Sequence, residues 1–299
     1  MPIFLGRVWL IWLCLASAIS CAKPAPERIW TEFSGEKALA HVQKLVDLGP
    51  RPAGSDAIEK ARAYIREQLK SFGWTTTEQA FTDQTPRGQV KFVNLIARFG
   101  ENAKPVFVLC SHYDTKIFDT LRFVGANDGG SSNGVLLEIA RVLARAPNSA
   151  RNVELVFFDG EEAVEQFSGT DGIYGSRHFA RELAKNGSFP QFRGGILFDM
   201  IGDRDLKVTI PPNSPPKMAR DIFASADALK VRDHFTYFDQ PVTDDHSPLN
   251  AVGTPVIDLI DFRFNYWHTA DDTIDKISAH SLQIVGSVAL YYLSEYAFK

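Results

Sequence analysis

Four short apolar runs, each stopping at a cluster of acids or histidines, constrain this 299-residue chain more than anything else in it. Residues 106–110 run into Ser111-His112-Tyr113-Asp114, and residues 153–158 into Asp159-Gly160-Glu161-Glu162. Residues 196–198 run into Asp199, and residues 256–260 into Asp261 and then Trp267-His268. These runs are short, rich in Val, Ile, Leu and Phe, and apolar but for Glu154 and Asp258, which predicts strands buried on both faces. Between the first two lies Gly125-Ala126-Asn127-Asp128-Gly129-Gly130, a glycine-rich loop that carries an acid just before a helical stretch.

Helical periodicity fills the intervals. Ala38, Val42, Leu45 and Val46 share one face of a helix that Gly49-Pro50 ends. A loop over 51–55 leads to a second amphipathic helix over 56–72, closed by Gly73. Further helices are expected over 132–144, 174–184, 217–229 and 280–296, and further strands over 75–81 and 90–99. Buried strands alternating with helices predict an α/β fold, a three-layer α/β/α sandwich around a central mixed, mostly parallel sheet. In such sheets ligands bind beyond the carboxyl ends of the strands, which is where the polar clusters fall. An apolar fraction of 45% over this length suffices for one sizeable core. No internal repeat or second domain is evident, and the domain is placed at 35–299.

The first residues differ in kind. Arg7 precedes an apolar run over 8–19, too short to span a bilayer and followed by small residues. That pattern predicts a signal peptide over 1–21, with residues 22–34 as a linker. Ala18-Ile19-Ser20-Cys21 is similar to a lipoprotein cleavage site, so a lipid anchor at Cys21 is one form the mature protein can take. The expected location is exported: periplasmic or membrane-anchored. Of three cysteines, Cys14 lies in the signal and Cys21 at its end, while Cys110 reads as a buried structural thiol. This leaves no disulfide framework and no cysteine metal cluster. With a net charge of −4 and no basic run, nucleic acid is not an expected partner.

The chemistry lies in the combination of clusters. Glu161-Glu162 directly follows Leu155-Val-Phe-Phe158 and Asp159-Gly160, so the pair stands at the mouth of a core strand. Carboxylates there are costly unless paired or metal-bound. Oxygen and imidazole donors without thiolates suit zinc at a catalytic site. Of two adjacent glutamates, one can bind metal while its neighbour remains free as an acid/base.

The order His112-Tyr-Asp114, Asp128, Glu161-Glu162, Asp199, His268 resembles the zinc aminopeptidase family that includes co-catalytic leucyl-type enzymes. Within it, the chain most resembles the animal-type glutaminyl-peptide cyclotransferases and their bacterial relatives, from about Ala38 to the C-terminus. Leu48-Gly-Pro-Arg-Pro-Ala-Gly-Ser55, His112-Tyr-Asp-Thr-Lys116, Phe157-Phe-Asp-Gly-Glu-Glu-Ala163, Tyr174-Gly-Ser-Arg-His178, Asp244-Asp-His-Ser-Pro248 and Trp267-His268-Thr269 carry the likeness. The resemblance implies a zinc exopeptidase-like fold and one zinc ion held by Asp128, Glu162 and His268. It implies Glu161 as general acid/base, with Asp199 and Asp244 in the hydrogen-bond network beside the reacting amide. Trp267 and Phe167 are implied in the wall of the substrate pocket. The expected reaction converts an N-terminal glutamine of a peptide to pyroglutamate with release of ammonia. Two departures stand out: Asp258 replaces a His of the animal enzymes, and Phe167 a Trp.

A secreted two-zinc aminopeptidase is the alternative, because His112 and Asp199 are present to hold a second ion. A non-catalytic protein on the same fold is disfavoured, since neither Glu161 nor a metal ligand is lost. The other histidines receive plainer readings: His41 and His234 at the surface, His280 at a helix start, His178 as a hydrogen-bonding structural residue, His246 as a partner within the Asp244 loop. Phe235, Tyr237 and Phe238 are read as core.

Overall fold

The computed structural model describes residues 28–100 and 103–299. The signal peptide, Cys21 and the first part of the linker, residues 22–27, therefore lie outside the described residues. The end of that linker is packed: Ile29 and Phe33 are buried in the main core.

Helix α1 (Gly35–Asp47) begins at Ser34, whose hydroxyl accepts from the Lys37 amide, and buries Ala38, Val42 and Leu45. Gly49 follows at φ 82°, a left-handed stop. Helix α2 (Asp56–Ser71) is capped in the same way by Ser55. A long hairpin of β1 (Thr75–Thr85) and β2 (Gly88–Arg98) comes next. The alternating part of the chain then runs β3 (Phe107–His112), α3 (Ser132–Ala144), α4 (Pro147–Ala150), β4 (Val153–Phe158), α5 (Tyr174–Lys185) and β5 (Gly194–Asp199). It closes with β6 (Val208–Ile210), α6 (Pro216–Ala228), β7 (Phe235–Tyr237), α7 (His246–Ala251), β8 (Val256–Ile260) and α8 (Ala279–Tyr292).

The strands form one mixed sheet in the order β1-β2-β4-β3-β5-β8-β6-β7. The central run β4-β3-β5-β8 is parallel throughout. Every residue of β3, β4, β5 and β8 is buried, as expected of strands covered on both faces. Alternate residues divide between two cores. Leu109, Leu155, Phe198 and Leu259 pack with α1, α3 and α8, whereas Val108, Val156, Leu197 and Val256 pack with Phe179 and Leu183 of α5. The three-layer sandwich of the sequence reading is the observed architecture. The chain leaves β3 through α3 on one face and reaches β5 through α5 on the other. That reversal opens a crevice at the carboxyl ends of β4, β3 and β5.

β6, β7 and α7 were not anticipated. Two of them have only three residues, too short to show periodicity, and α7 is a single polar-faced turn. Phe235 is core, but Tyr237 is 54% exposed, and Phe238 lines the catalytic cavity. His178 lies flat against Phe81, with ring centroids 4.0 Å apart, so it packs by stacking. Cys110 is buried and unpaired.

His41, read as surface, is half-buried between α1 and α2, with Nδ1 2.6 Å from the Tyr64 hydroxyl. Burial, aided by the nearby Arg141 charge, lowers its pKa to about 4. The unfolded chain binds a proton at about pH 6.5 that the native protein refuses until about 4. Native stability therefore falls as pH drops through that window. His41→Gln should flatten the fall by on the order of 2 kcal/mol, measured by urea unfolding at pH 7, 5.5 and 4. An unchanged slope would show that His41 is not the group responsible.

Candidate active site

The polar clusters predicted at four strand ends meet in the crevice. β3 delivers His112 and, two residues on, Asp114, whose two carboxylate oxygens accept from the amides of Glu161 and Glu162 at 3.1 and 3.2 Å. Asp114 thus ties the loop after β4 to the end of β3. The turn at 126–131 presents Asp128, and glycine is required there: Gly129 sits at φ 74°, where a Cβ would lie 2.8 Å from the Asp114 carbonyl oxygen and 2.9 Å from the His112 ring. The turn is gripped from behind by Asp272, which accepts from the amides of Asn127 and Asp128 at 2.7 and 3.1 Å. Fully buried Arg51 holds the preceding backbone, donating to the carbonyls of Tyr113, Val124 and Gly125.

His268 arrives on the loop after β8 with φ 57°, a left-handed conformation unfavourable for a residue with a side chain. Its Nε2 stands 3.3 Å from Glu162 Oε1 and 3.5 Å from Asp128 Oδ2. One donor atom from each of Asp128, Glu162 and His268 lies within 4.8 Å of the others. Asp128 Oδ2 is buried without a hydrogen-bond partner. Two carboxylates and an imidazole converging on one point, with an orphaned oxygen among them, fit a zinc ion that keeps an open position for substrate. His112, Asp128 and Asp199 form a second such group that shares Asp128, with His112 Nε2 3.2 Å from both carboxylates. Burial works against the Asp128 charge, but His112 and His268 outweigh it and hold the carboxylate well below its usual range.

Glu161 lines the cavity without belonging to either group. Burial, with the Asp244 charge next, raises its pKa well above that of an ordinary glutamate, the direction that suits a group taking up and returning a proton. Asp199 and Asp244 line the same wall. Burial and the neighbouring charges of Asp199 and Asp245 push Asp244 up strongly. Behind it lie Asp245, His246 and Asp258, all fully buried, with Asp258 raised by burial and by Asp244. His246 Nδ1 is 3.5 Å from Asp258 Oδ2 and its Nε2 3.1 Å from Asn213, so the ring serves the loop, as expected. At least some of these carboxyls are protonated, because adjacent buried carboxylates cannot all ionise.

The cavity measures about 560 Å³ and is bounded by Trp267, Phe167, Lys116 and the segment around Val242. Phe167 and Trp267 are both exposed, 42% and 47%, at its rim. The Phe167 loop is fixed by Asp171, which accepts from the amides of Val164, Glu165 and Gln166 and from the Tyr174 hydroxyl. All eight residues singled out in the sequence are therefore brought to one cavity. Two strand-end acids are not: Asp261 accepts from the amides of Lys207 and Arg263, and Asp159 from Val93 and Arg62. Sequence reasoning missed Arg51, Asp171, Asp272 and the cavity role of Phe238. Arg51 and Asp272 bond to backbone groups 62 to 145 positions away, and Asp171 to the amides of its own polar loop five to seven positions away, and neither pattern leaves a mark in local spacing.

Comparison with known proteins agrees with this geometry. The family described as peptidase family M28 matches residues 94–293. The chain is 31% identical over 294 residues to a glutaminyl-peptide cyclotransferase of Bos taurus, covering 84% of this chain and 79% of that protein. The structure of an Acidobacteriales bacterium glutaminyl cyclase superposes with a TM-score of 0.82 at 35% identity, covering 91% and 96% of the two chains. A zinc-dependent exopeptidase of Parabacteroides distasonis superposes with a TM-score of 0.79 at 25% identity, covering 88% and 98%.

Proposed function

The chain belongs to peptidase family M28, and from that premise we propose that it is a zinc-dependent glutaminyl-peptide cyclotransferase acting on peptides and proteins with N-terminal glutamine. The observation that carries the reading is Glu161, a carboxyl that lines the same cavity as the Asp128–Glu162–His268 donor group without belonging to it.

Asp128, Glu162 and His268 would hold one zinc ion, which would supply Lewis-acid polarisation of the γ-carboxamide. Glu161 takes a proton from the substrate α-amine as that nitrogen attacks the γ-carbon. The new C–N bond closes the lactam and the C–NH₂ bond breaks, with Glu161 returning its proton to the leaving ammonia. Asp199 and Asp244, which line the same cavity as Glu161, orient the carboxamide nitrogen. Asp114 holds the Glu161 and Glu162 amides, so the acid/base and the ligand keep a fixed relation. No covalent enzyme intermediate is needed, because nucleophile and target belong to one molecule.

The aminopeptidase alternative rests on the His112–Asp128–Asp199 group. The relatives named glutaminyl-peptide cyclotransferase and glutaminyl cyclase, rather than the spacing of that group, favour the cyclotransferase reading. Export belongs to the same proposal, supported by Arg7 and the apolar run over 8–19, with Cys21 as the point of any lipid anchor.

Zinc-loaded protein incubated with a Gln-initiated and a Leu-initiated peptide tests the reading by mass spectrometry. Loss of ammonia from the first, with the second intact, is expected. Release of free amino acid from either would make it an aminopeptidase.

A further inference from the structure

One wall of the cavity is more aromatic than the catalytic chemistry requires. Starting from the metal-site imidazole, the Trp267 ring lies 4.3 Å from His268, the Phe262 ring 5.9 Å from Trp267, and the Phe238 ring 5.3 Å from Phe262. Phe238 and Phe262 are stacked with only 16° between their planes. All three carbocyclic rings line the cavity, and none is fully buried. Aromatic surface left facing a cavity in this way marks a place where apolar groups bind.

The platform is held rigidly by the sheet. Phe238 directly follows β7, and its amide donates to the Ile210 carbonyl of β6 at 2.8 Å. Phe262 follows β8, and its amide donates to the Thr209 hydroxyl at 3.3 Å. β6 pairs with both β7 and β8, which sets the two phenylalanines side by side. A ring preorganised by its own backbone loses little freedom when a ligand covers it.

We propose that Phe262 and Phe238 form a subsite for the peptide chain beyond the glutamine, selecting an aromatic or large apolar side chain at the second or third residue. The proposal rests on the cyclotransferase reading and names the substrate class of that site. The rings follow one another at 4.3, 5.9 and 5.3 Å, and an extended peptide, advancing ~3.3 Å per residue, passes one such step every one to two residues. With the glutamine side chain directed at the metal donors, the second residue reaches Trp267 and Phe262, and the third reaches Phe238. Phe167 stands elsewhere on the rim beside Gly172 and makes no ring contact with this series.

The experiment measures ammonia release from Gln-Ala-Ala, Gln-Phe-Ala and Gln-Ala-Phe by the wild-type, zinc-loaded protein and by Phe238→Ala and Phe238→Leu. The readout is the ratio of kcat/KM for each Phe peptide to that for Gln-Ala-Ala. A ratio of about ten is expected in the wild type, expressed in KM, from the added aromatic contact. Phe238→Ala should bring the Gln-Ala-Phe ratio to within about twofold of one, and Phe238→Leu, which keeps apolar bulk and protects folding, should leave it between the two. A wild-type ratio of one, or a ratio that survives Phe238→Ala, would overturn the subsite while leaving the cyclotransferase reading intact. No ammonia from any of the three peptides would overturn that reading, and the subsite with it.

Discussion

Glu161→Gln should lower the rate of ammonia release by roughly a hundred- to ten-thousandfold while zinc remains bound. Glutamine fills the same space and keeps a hydrogen-bonding oxygen, but it cannot accept the α-amine proton or return one to ammonia. The ligand atoms of Asp128, Glu162 and His268 are separate from the Glu161 carboxyl, and the Asp114 bonds that hold this loop go to backbone amides. The substitution therefore removes the proton carrier and spares both metal and loop. Steady-state ammonia release together with zinc competition against a chromogenic chelator separates the two effects. Activity within a few fold of wild type would mean that another group, with Asp244 the nearest in kind, moves the proton.

His268→Asn should abolish cyclisation by removing zinc itself. Asparagine tolerates the left-handed backbone at φ 57°, so the change subtracts the imidazole without adding strain. Its loss leaves Asp128 and Glu162 facing each other across the cavity with neither ring nor ion between them. Burial, then the Asp128 charge, already raises Glu162 to about 7. A carboxyl raised in the native state binds a proton that the unfolded chain releases near 4.5, so its contribution to stability is full at low pH and declines as pH rises toward 7. The variant should therefore show zinc affinity at least a hundredfold weaker and a melting temperature that falls more between pH 5 and 7.5 than that of the zinc-loaded parent. Retained stoichiometric zinc would show that His112 and Asp199 complete a site without His268.

The parts of the site differed in how legible they were. Glu161 and Glu162 stood out because an acid at the mouth of a buried strand demands a reason, and Asp128 because it sits in a glycine-rich loop just before a helix. Trp267-His268 carried a family likeness. Asp272 and Asp171, in contrast, are acids in polar loops, where acids are ordinary, and only their bonds to backbone amides show what they hold. Arg51 reads as a loop arginine in Gly49-Pro-Arg-Pro52, yet it is wholly buried among carbonyl oxygens. His41 looked like one more polar position on an amphipathic helix until α2 covered it.

The sequence alone determined the class of fold and the kind of chemistry. Mostly apolar strands alternating with helices admit few arrangements other than a sheet covered on both faces, and oxygen and imidazole donors at the strand ends suit a metal ion such as zinc. Tertiary structure decided which carboxylates share a point in space and which brace the backbone, and how the cavity continues past its reacting centre. Those outcomes depend on contacts between residues tens to hundreds of positions apart. Phe238 illustrates the difference: locally it is one aromatic in a short stretch, and only the pairing of β7 and β8 with β6 sets it beside Phe262 in the cavity lining.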